Sequence, residues 1–87
     1  MKVEFHKTFV KNFNKRFSSN PKIKAKFFQK TKLFVQNPAH PALKNHALRG
    51  KKLGLKAFSI TRDIRVVYYV KENTAFFLDI GIHNQVY

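Results

Sequence analysis

The stretch that decides the fold runs from residue 55 to residue 80 and reads LKAFSITRDIRVVYYVKENTAFFLDI. It contains three segments rich in β-branched and aromatic residues, at 55–61, 64–70 and 74–80, and such segments are typical of β-strands. Only RD separates the first two segments, and only KEN separates the second from the third. Because connections this short join antiparallel neighbours, the stretch predicts two consecutive β-hairpins.

Alternation along these strands predicts which side chains face the core. One face is mostly apolar, and we expect it to be buried: Phe58, Ile60, Ile64, Val66, Tyr68, Phe76, Leu78 and Ile80. The opposite face is expected to carry Arg65, Val67, Tyr69, Phe77 and Asp79. If helices cover the first face, the second face and its rim stay open for a ligand.

The N-terminal half predicts one short strand and two helices. Residues 2–5 (KVEF) alternate between polar and apolar, as a first strand would. A first helix is indicated by apolar residues at helical spacing: Phe9, Val10, Phe13 and Phe17. A second is expected over 21–35, with Ser19 or Asn20 as its cap, Pro21 in its first turn and QNPAHP (36–41) ending it. The expected fold class is α+β, an N-terminal helical hairpin packed on one face of a small antiparallel β-sheet, in a single domain over 1–87.

Composition limits the classes of protein to consider. The 87 residues contain no cysteine, which excludes disulfides and thiolate metal sites. No apolar run is long enough to span a membrane, and the N-terminus lacks the apolar stretch of a signal peptide, so we expect a soluble, cytoplasmic protein. The formal net charge is +14, from 18 Lys and Arg against four Asp and Glu, which favours a nucleic-acid substrate or an acidic protein partner.

The candidate catalytic residues centre on a histidine near the last predicted strand. His83 follows Gly81, and residues at supported strand ends are well placed for function. A ribonuclease that uses no metal needs a general base, a general acid and cations to stabilise the phosphorane, and imidazole supplies either of the first two. Arg65 offers a bidentate phosphate contact, and Tyr87 could stack on a base or donate a proton.

A purely structural role is also open for three of the candidate side chains. His83 could tie off the last strand, Tyr87 could pack on the core, and His46 fits a structural role as well as a place in the site. The four histidines lack metal-ligand spacing, so neither a metal site nor another cofactor is expected. The basic residues expected to bind substrate are Lys51, Lys52, Lys56 and Arg62.

Three motifs together resemble a known family. The order HALRG (46–50), RDIRVVYYV (62–70) and DIGIHNQVY (79–87) resembles the RelE/ParE toxin superfamily, and it looks closest to the YafQ-like branch. The resemblance implies a toxin of a type II toxin–antitoxin system that cleaves mRNA on the ribosome. It also implies an antitoxin partner that inhibits the toxin. The residues that match the functional positions of these relatives are His46, Asp63, Arg65, His83 and Tyr87.

Three positions depart from the YafQ-like pattern. Ser59 stands where these relatives tend to carry another histidine, Ile64 replaces a tryptophan, and Asp79 replaces an arginine. A carboxylate at 79 would repel RNA phosphate, although it could orient Arg65 from a neighbouring strand.

Two alternatives to the nuclease are a ParE-like inhibitor of DNA gyrase and a degenerate toxin that binds RNA or its partner without cleaving. The same fold serves both mRNA cleavage and gyrase inhibition, so the fold cannot decide between them. The closing histidine cluster favours the nuclease. The family resemblance implies an antitoxin partner, and the high positive charge indicates that this antitoxin carries an acidic, partly helical segment. No membrane partner is expected.

Overall fold

The three C-terminal strands form the centre of a five-stranded sheet, in the order β1-β5-β4-β3-β2. The computed structural model describes the whole chain, from Met1 to Tyr87. The strands are β1 (Lys2–Phe5), β2 (His46–Ala47), β3 (Lys56–Ser59), β4 (Ile64–Lys71) and β5 (Thr74–Ile82). The helices are α1 (Lys7–Phe17), α2 (Pro21–Gln36) and the single turn α3 (His83–Val86), with 3-10 turns at Pro41–Leu43 and Gly50–Lys52. No helix combines the length and the apolar composition that crossing a membrane requires.

Strand β1 makes the sheet mixed rather than wholly antiparallel. The pairs β2–β3, β3–β4 and β4–β5 are antiparallel, which confirms the predicted hairpins. Strand β1 instead pairs parallel with β5, from Lys2 opposite Thr74 to Phe5 opposite Phe77. Short connections determine only the pairing of consecutive strands, so the orientation of β1 did not follow from the sequence.

Side chains cap the N-termini of the two long helices, and for α2 the cap is the predicted Asn20. His6 caps α1 by accepting a hydrogen bond at Nδ1 from the Thr8 amide, at 3.2 Å. Asn20 caps α2 by accepting at Oδ1 from the Ile23 amide, at 3.2 Å, and Pro21 occupies the first helical position. Both helices pack on one face of the sheet, as expected.

Aromatic rings fill the space between the helices and the sheet. Phe34 of α2 stacks on Phe58 of β3 with ring centroids 4.6 Å apart, and its ring meets Tyr68 of β4 edge-on at 4.9 Å. Phe9 of α1 lies 5.7 Å from Phe77 of β5. Burial of these rings supplies most of the apolar stabilisation of the domain.

A bulge in β5 changes which side chains face the core. Val67 pairs with Asp79 and Tyr68 pairs with Phe77, so Leu78 is the extra residue. Phe77 is therefore fully buried among the helices, and Phe76 stacks on Tyr69 on the opposite face, with centroids 4.9 Å apart.

The bulge makes part of the alternation prediction wrong. Phe76 and Leu78 were expected in the main core and Phe77 outside it. Because Leu78 is an extra residue in β5, the side chains that precede it lie on the faces opposite to those predicted. The other predicted core residues, including Ile80, do lie in the core. The opposite face is not fully open either, because Val86 of α3 packs there in a small cluster with Leu48, Ala57 and Val67.

Asp79 is bound to α1 rather than to Arg65. Its Oδ1 accepts from Asn12 Nδ2 at 2.8 Å and forms the one ion pair of the molecule, with Arg16 Nη1 at 3.2 Å. The same Nη1 donates to the Ile80 carbonyl at 2.7 Å. The expectation that Asp79 orients Arg65 is therefore wrong, and its charge is matched by a cation of α1.

Gly81→Ala tests this contact between α1 and the end of β5. A Cβ at Gly81 would lie 2.5 Å from Gln85 Oε1 and 2.8 Å from Arg16 Nη1, so it would disturb hydrogen bonds to Ile82 and Ile80. We expect a loss of about 1–3 kcal/mol in the free energy of unfolding, measured with urea. The loss should be smaller in a Gln85→Ala background, and equal losses in both backgrounds would show that the clash with Gln85 is not the cause.

Tyr68→Phe tests the buried hydroxyl, which donates to Asn45 Oδ1 at 2.7 Å. Its removal leaves Asn45 Oδ1 without this donor, while Asn45 Nδ2 still donates to the Pro38 carbonyl at 3.0 Å. The substitution should cost about 1–3 kcal/mol of unfolding free energy at neutral pH. Tyr69→Phe, on the opposite face, is the matched control.

The cost of Tyr68→Phe should also depend on pH. Burial raises the pKa of Tyr68 above its ordinary value of 10.0, so the folded protein favours the neutral phenol. That stabilisation is fully present below pH 10.0 and is lost as the pH rises through the folded-state pKa. The stability difference between the parent and Tyr68→Phe should therefore narrow at alkaline pH, and a constant difference would contradict this account.

Candidate active site

The single turn α3 brings His83 and Tyr87 to the same side of the sheet end. The Tyr87 amide donates to the His83 carbonyl at 2.9 Å, and the two rings meet edge to face with centroids 4.5 Å apart. Gln85 closes the turn, since its Oε1 accepts from the Ile82 amide at 2.8 Å. Val86 is buried against the sheet, so the turn is attached to the folded domain rather than frayed.

His46 joins this pair from the far edge of the sheet. It lies in β2 opposite Ala57, and its Nε2 is 3.4 Å from the hydroxyl of Tyr87, which is 41 residues away in sequence. Its Nδ1 is 3.0 Å from the Lys44 carbonyl. A carbonyl only accepts, so in the neutral imidazole Nδ1 carries the proton and Nε2 presents its lone pair.

Arg65 lies on β4, paired with Ser59 on one side and Gly81 on the other. Its Nη1 donates to Ser59 Oγ at 3.1 Å, which orients the guanidinium. Burial raises the pKa of Tyr87 above its ordinary value, while the positive charge of Arg65 acts in the opposite direction. The phenol of Tyr87 is therefore protonated at neutral pH and available as a donor.

A cleft of about 330 Å³ lies beside Arg65 and His83, and we call it the histidine cleft. Its lining residues are Arg62, Asp63, Arg65, Ile82, His83 and Asn84. Asp63 is exposed in the β3–β4 turn, where its amide donates to Thr61 Oγ1 at 3.3 Å. Asp63 lines the same cleft as His83 and Arg65 and forms no ion pair with Arg65 or His83.

Of the four remaining predicted site residues, two line a cleft near the candidate site and two do not. Lys56 lines a separate cleft next to His46, and Arg62 lines the histidine cleft itself. Lys51 and Lys52 lie in the 3-10 turn and line neither of these clefts, so their role in substrate binding stays a prediction.

Sequence reasoning missed the groups that hold the site in place. The Lys44 carbonyl sets the tautomer of His46, and Gln85 shapes the turn that carries His83. A backbone carbonyl leaves no trace in the sequence. Gln85 could have been noticed as an amide three residues after Ile82, the position from which a side chain reaches back to the first residue of a helix.

His83 and Arg65 line the histidine cleft, His46 lines the separate cleft that also contains Lys56, and Tyr87 contacts both imidazoles. Such a set can move protons and stabilise a developing negative charge. The structure contains no group of three or more His, Asp or Glu side chains placed to hold a metal ion.

Comparisons with known proteins agree with this architecture. The sequence matches a family described as "Bacterial toxin of type II toxin-antitoxin system, YafQ" over residues 1–87. A search of curated protein sequences gives no match.

Solved structures with the same fold include other toxins. YafQ from E. coli strain BL21(DE3) aligns with a TM-score of 0.82 at 17% identity, over 99% of this chain and 97% of that one. The E. coli DinJ-YafQ toxin-antitoxin complex aligns at 0.70 and 19%, over 99% and 96%. The YoeB/ParE toxin from Agrobacterium tumefaciens aligns at 0.80 and 18%, over 95% and 99%.

The family match confirms the resemblance drawn from the three sequence motifs. It extends over the entire described fold, from β1 to α3. This chain belongs to the YafQ family of toxins of bacterial type II toxin–antitoxin systems.

Proposed function

We propose that this toxin is an endoribonuclease that cleaves mRNA on the ribosome and needs no metal ion for the chemical step. The observation that carries the proposal is the convergence of His46, Arg65 and His83, from three separate parts of the chain, on Tyr87. The charge of +14 suits a polyanionic substrate.

The proposed reaction is an internal transesterification of the RNA backbone. The 2′-oxygen attacks the adjacent phosphorus while a general base takes its proton. The bond from phosphorus to the 5′-oxygen of the next nucleotide breaks, and a general acid protonates that oxygen. The products are a 2′,3′-cyclic phosphate and a free 5′-hydroxyl, so atoms and protons balance.

The hydrogen bonds favour different roles for the two histidines. His46 presents a lone pair at Nε2, because Nδ1 is bound to the Lys44 carbonyl, and this suits the general base. His83, exposed in the histidine cleft, is assigned as the general acid in its protonated form. Arg65 stabilises the charge that develops on the phosphorane, and Tyr87 sits between the two imidazoles as a donor. Asp63 lines the same cleft, and its carboxylate is assigned as a further proton-transfer group there.

The proposed partners are the ribosome, which presents the mRNA, and an acidic antitoxin. Structures of this fold include a toxin-antitoxin complex, and the chain belongs to a family of such toxins. The excess of cations would attract an acidic protein segment at long range. No observation favours the gyrase-inhibitor alternative.

His83→Asn and Arg65→Ala test the chemical assignment. We expect each to lower mRNA cleavage in a translating extract by about 100-fold or more, through loss of proton transfer and of charge stabilisation respectively. His6→Asn is the matched control, because it replaces a histidine remote from the site and retains a side chain that can cap α1. Equal cleavage by His83→Asn and His6→Asn would contradict the role of His83, and an inactive parent would support the degenerate-toxin alternative.

Tyr87→Phe tests the contribution of the Tyr87 hydroxyl separately from that of its ring. The variant keeps the packing against His83 but loses the donor facing His46, and we expect cleavage to fall by about tenfold, the value of one hydrogen bond. Because burial raises the pKa of Tyr87, its hydroxyl stays protonated across the neutral range, and the parent-to-variant ratio should not change with pH there. A ratio that rises or falls between mildly acidic and mildly alkaline pH would contradict the assignment.

A further inference from the structure

A second and larger cleft, of about 650 Å³, lies between α2 and the β3–β4 turn, and we call it the lysine cleft. Its lining residues are Lys26, Lys30, Ala42, Lys44, Ser59, Ile60, Thr61 and Arg62. None of the residues assigned to acid–base chemistry lines it.

The lysine cleft is positively charged without compensation. Four of its eight lining residues are cations and none is acidic. The one ion pair of the protein, Arg16–Asp79, is elsewhere, and the nearest carboxylate in sequence, Asp63, lines the histidine cleft instead. Converging like charges repel one another, so an anionic ligand would stabilise this region.

The hydroxyl groups and apolar residues of the cleft contribute little to ligand recognition, so charge is the main means by which the cleft can recognise a ligand. Ser59 Oγ already accepts from Arg65 at 3.1 Å, and Thr61 Oγ1 accepts from the Asp63 and Ile64 amides at 3.3 and 3.2 Å. Apolar lining is limited to Ala42 and Ile60, so an amphipathic peptide finds no pocket for its apolar side chains. This chemistry fits a chain of phosphates.

The cations of the cleft are arranged along a wall. Lys26 and Lys30 are one turn apart on α2, with about 5–6 Å between their Cβ atoms. Lys30 Nζ donates to the Ala42 carbonyl at 3.1 Å, which keeps its ammonium at the cleft with two N–H groups to spare.

The lysine cleft adjoins the proposed active site. Arg62 lines both clefts. Ser59 at its edge is the partner of Arg65, and Lys44 supplies the carbonyl that binds His46. A strand whose reacting phosphate lies at Arg65 therefore has a cationic path past Arg62 into the lysine cleft.

We propose that the lysine cleft binds the phosphates of the RNA nucleotides that flank the cleaved bond on one side. This inference rests on the proposed ribonuclease function. The contacts position the strand without reading its bases, because phosphate contacts carry no sequence information.

The test measures binding of a short single-stranded 2′-O-methyl RNA, which lacks the attacking 2′-hydroxyl, as a function of NaCl concentration. The variant is Lys26→Gln/Lys30→Gln, and Gln retains a donor for the Ala42 carbonyl. The matched control is Lys7→Gln/Lys11→Gln, which removes the same charge at the same spacing from the exposed surface of α1. Thermal unfolding checks that both variants are folded.

We expect the cleft variant to reduce the slope of log K against log salt by about 1.4, that is, about 0.7 for each lost phosphate contact. The reduction should be the same for two RNAs of unrelated sequence, and the control should change the slope less. Equal slopes for the cleft variant and the control would overturn the inference. It would also be overturned if the cleft variant weakened binding to poly-glutamate but not to RNA, since the cleft would then be an acidic-protein site.

Cleavage measured in parallel keeps the two proposals separate. If the parent cleaves mRNA and the cleft variant binds RNA like the control, the proposal for the lysine cleft is wrong and the ribonuclease proposal stands. A parent that never cleaves, but whose RNA binding depends on the lysine cleft, overturns the ribonuclease proposal and retains the cleft as a phosphate site. A parent that does not bind RNA overturns the inference.

Discussion

The hydrogen-bonded ladder between β4 and β5 determines both the core and the site. On the N-terminal side of the bulge at Leu78, the ladder turns Phe77 toward the helices. Beyond the bulge it sets Gly81 opposite Arg65, and His83 follows where the ladder ends. Side chains alternate with a period of two, so the one inserted residue allows Phe77 and Ile80, three positions apart, to face the same core.

The charge distribution imposes a second constraint on the protein. The chain carries 14 more positive than negative charges, and only one carboxylate forms an ion pair. Attraction between charges therefore contributes little to holding the fold together, and packing of aromatic rings supplies the cohesion. A polyanion in the clefts and an acidic partner would both relieve the same repulsion. Substrate and antitoxin are thus expected to compete through charge as well as through shape.

Local features of the fold could be predicted from the sequence, and non-local ones could not. The hairpins followed from short connections, and the start of α2 followed from the Asn20–Pro21 cap, because neighbouring residues determine both. The parallel β1 and the bulge depend on which strand lies alongside, and no single segment encodes that. Asp79 shows the same limit, since its partner Arg16 is 63 residues away.

The candidate site also contains local contacts that the sequence could predict and long-range contacts that it could not. His83 and Tyr87 are four residues apart, so their contact is a local consequence of one helical turn. The approach of His46 to Tyr87 spans the β2–β3 pairing and was expected only from the family resemblance. The lysine cleft joins α2 to the β3–β4 turn, two segments that meet only in the folded protein.

The parallel pairing of β1 with β5 has a consequence for the order of folding. Strand β5 lies between β1 and β4, yet it follows every other strand in the sequence. During synthesis α1 and α2 emerge before β5. Their core side chains therefore lack the contact with Phe77 until β5 has been made: Phe9, Phe27 and Phe34. Such long-range closure is slow and leaves the nascent chain prone to aggregation. The nascent toxin therefore cannot assemble its site before β5 and α3 have been made, and a chaperone or an early-binding partner would have its greatest effect in that interval.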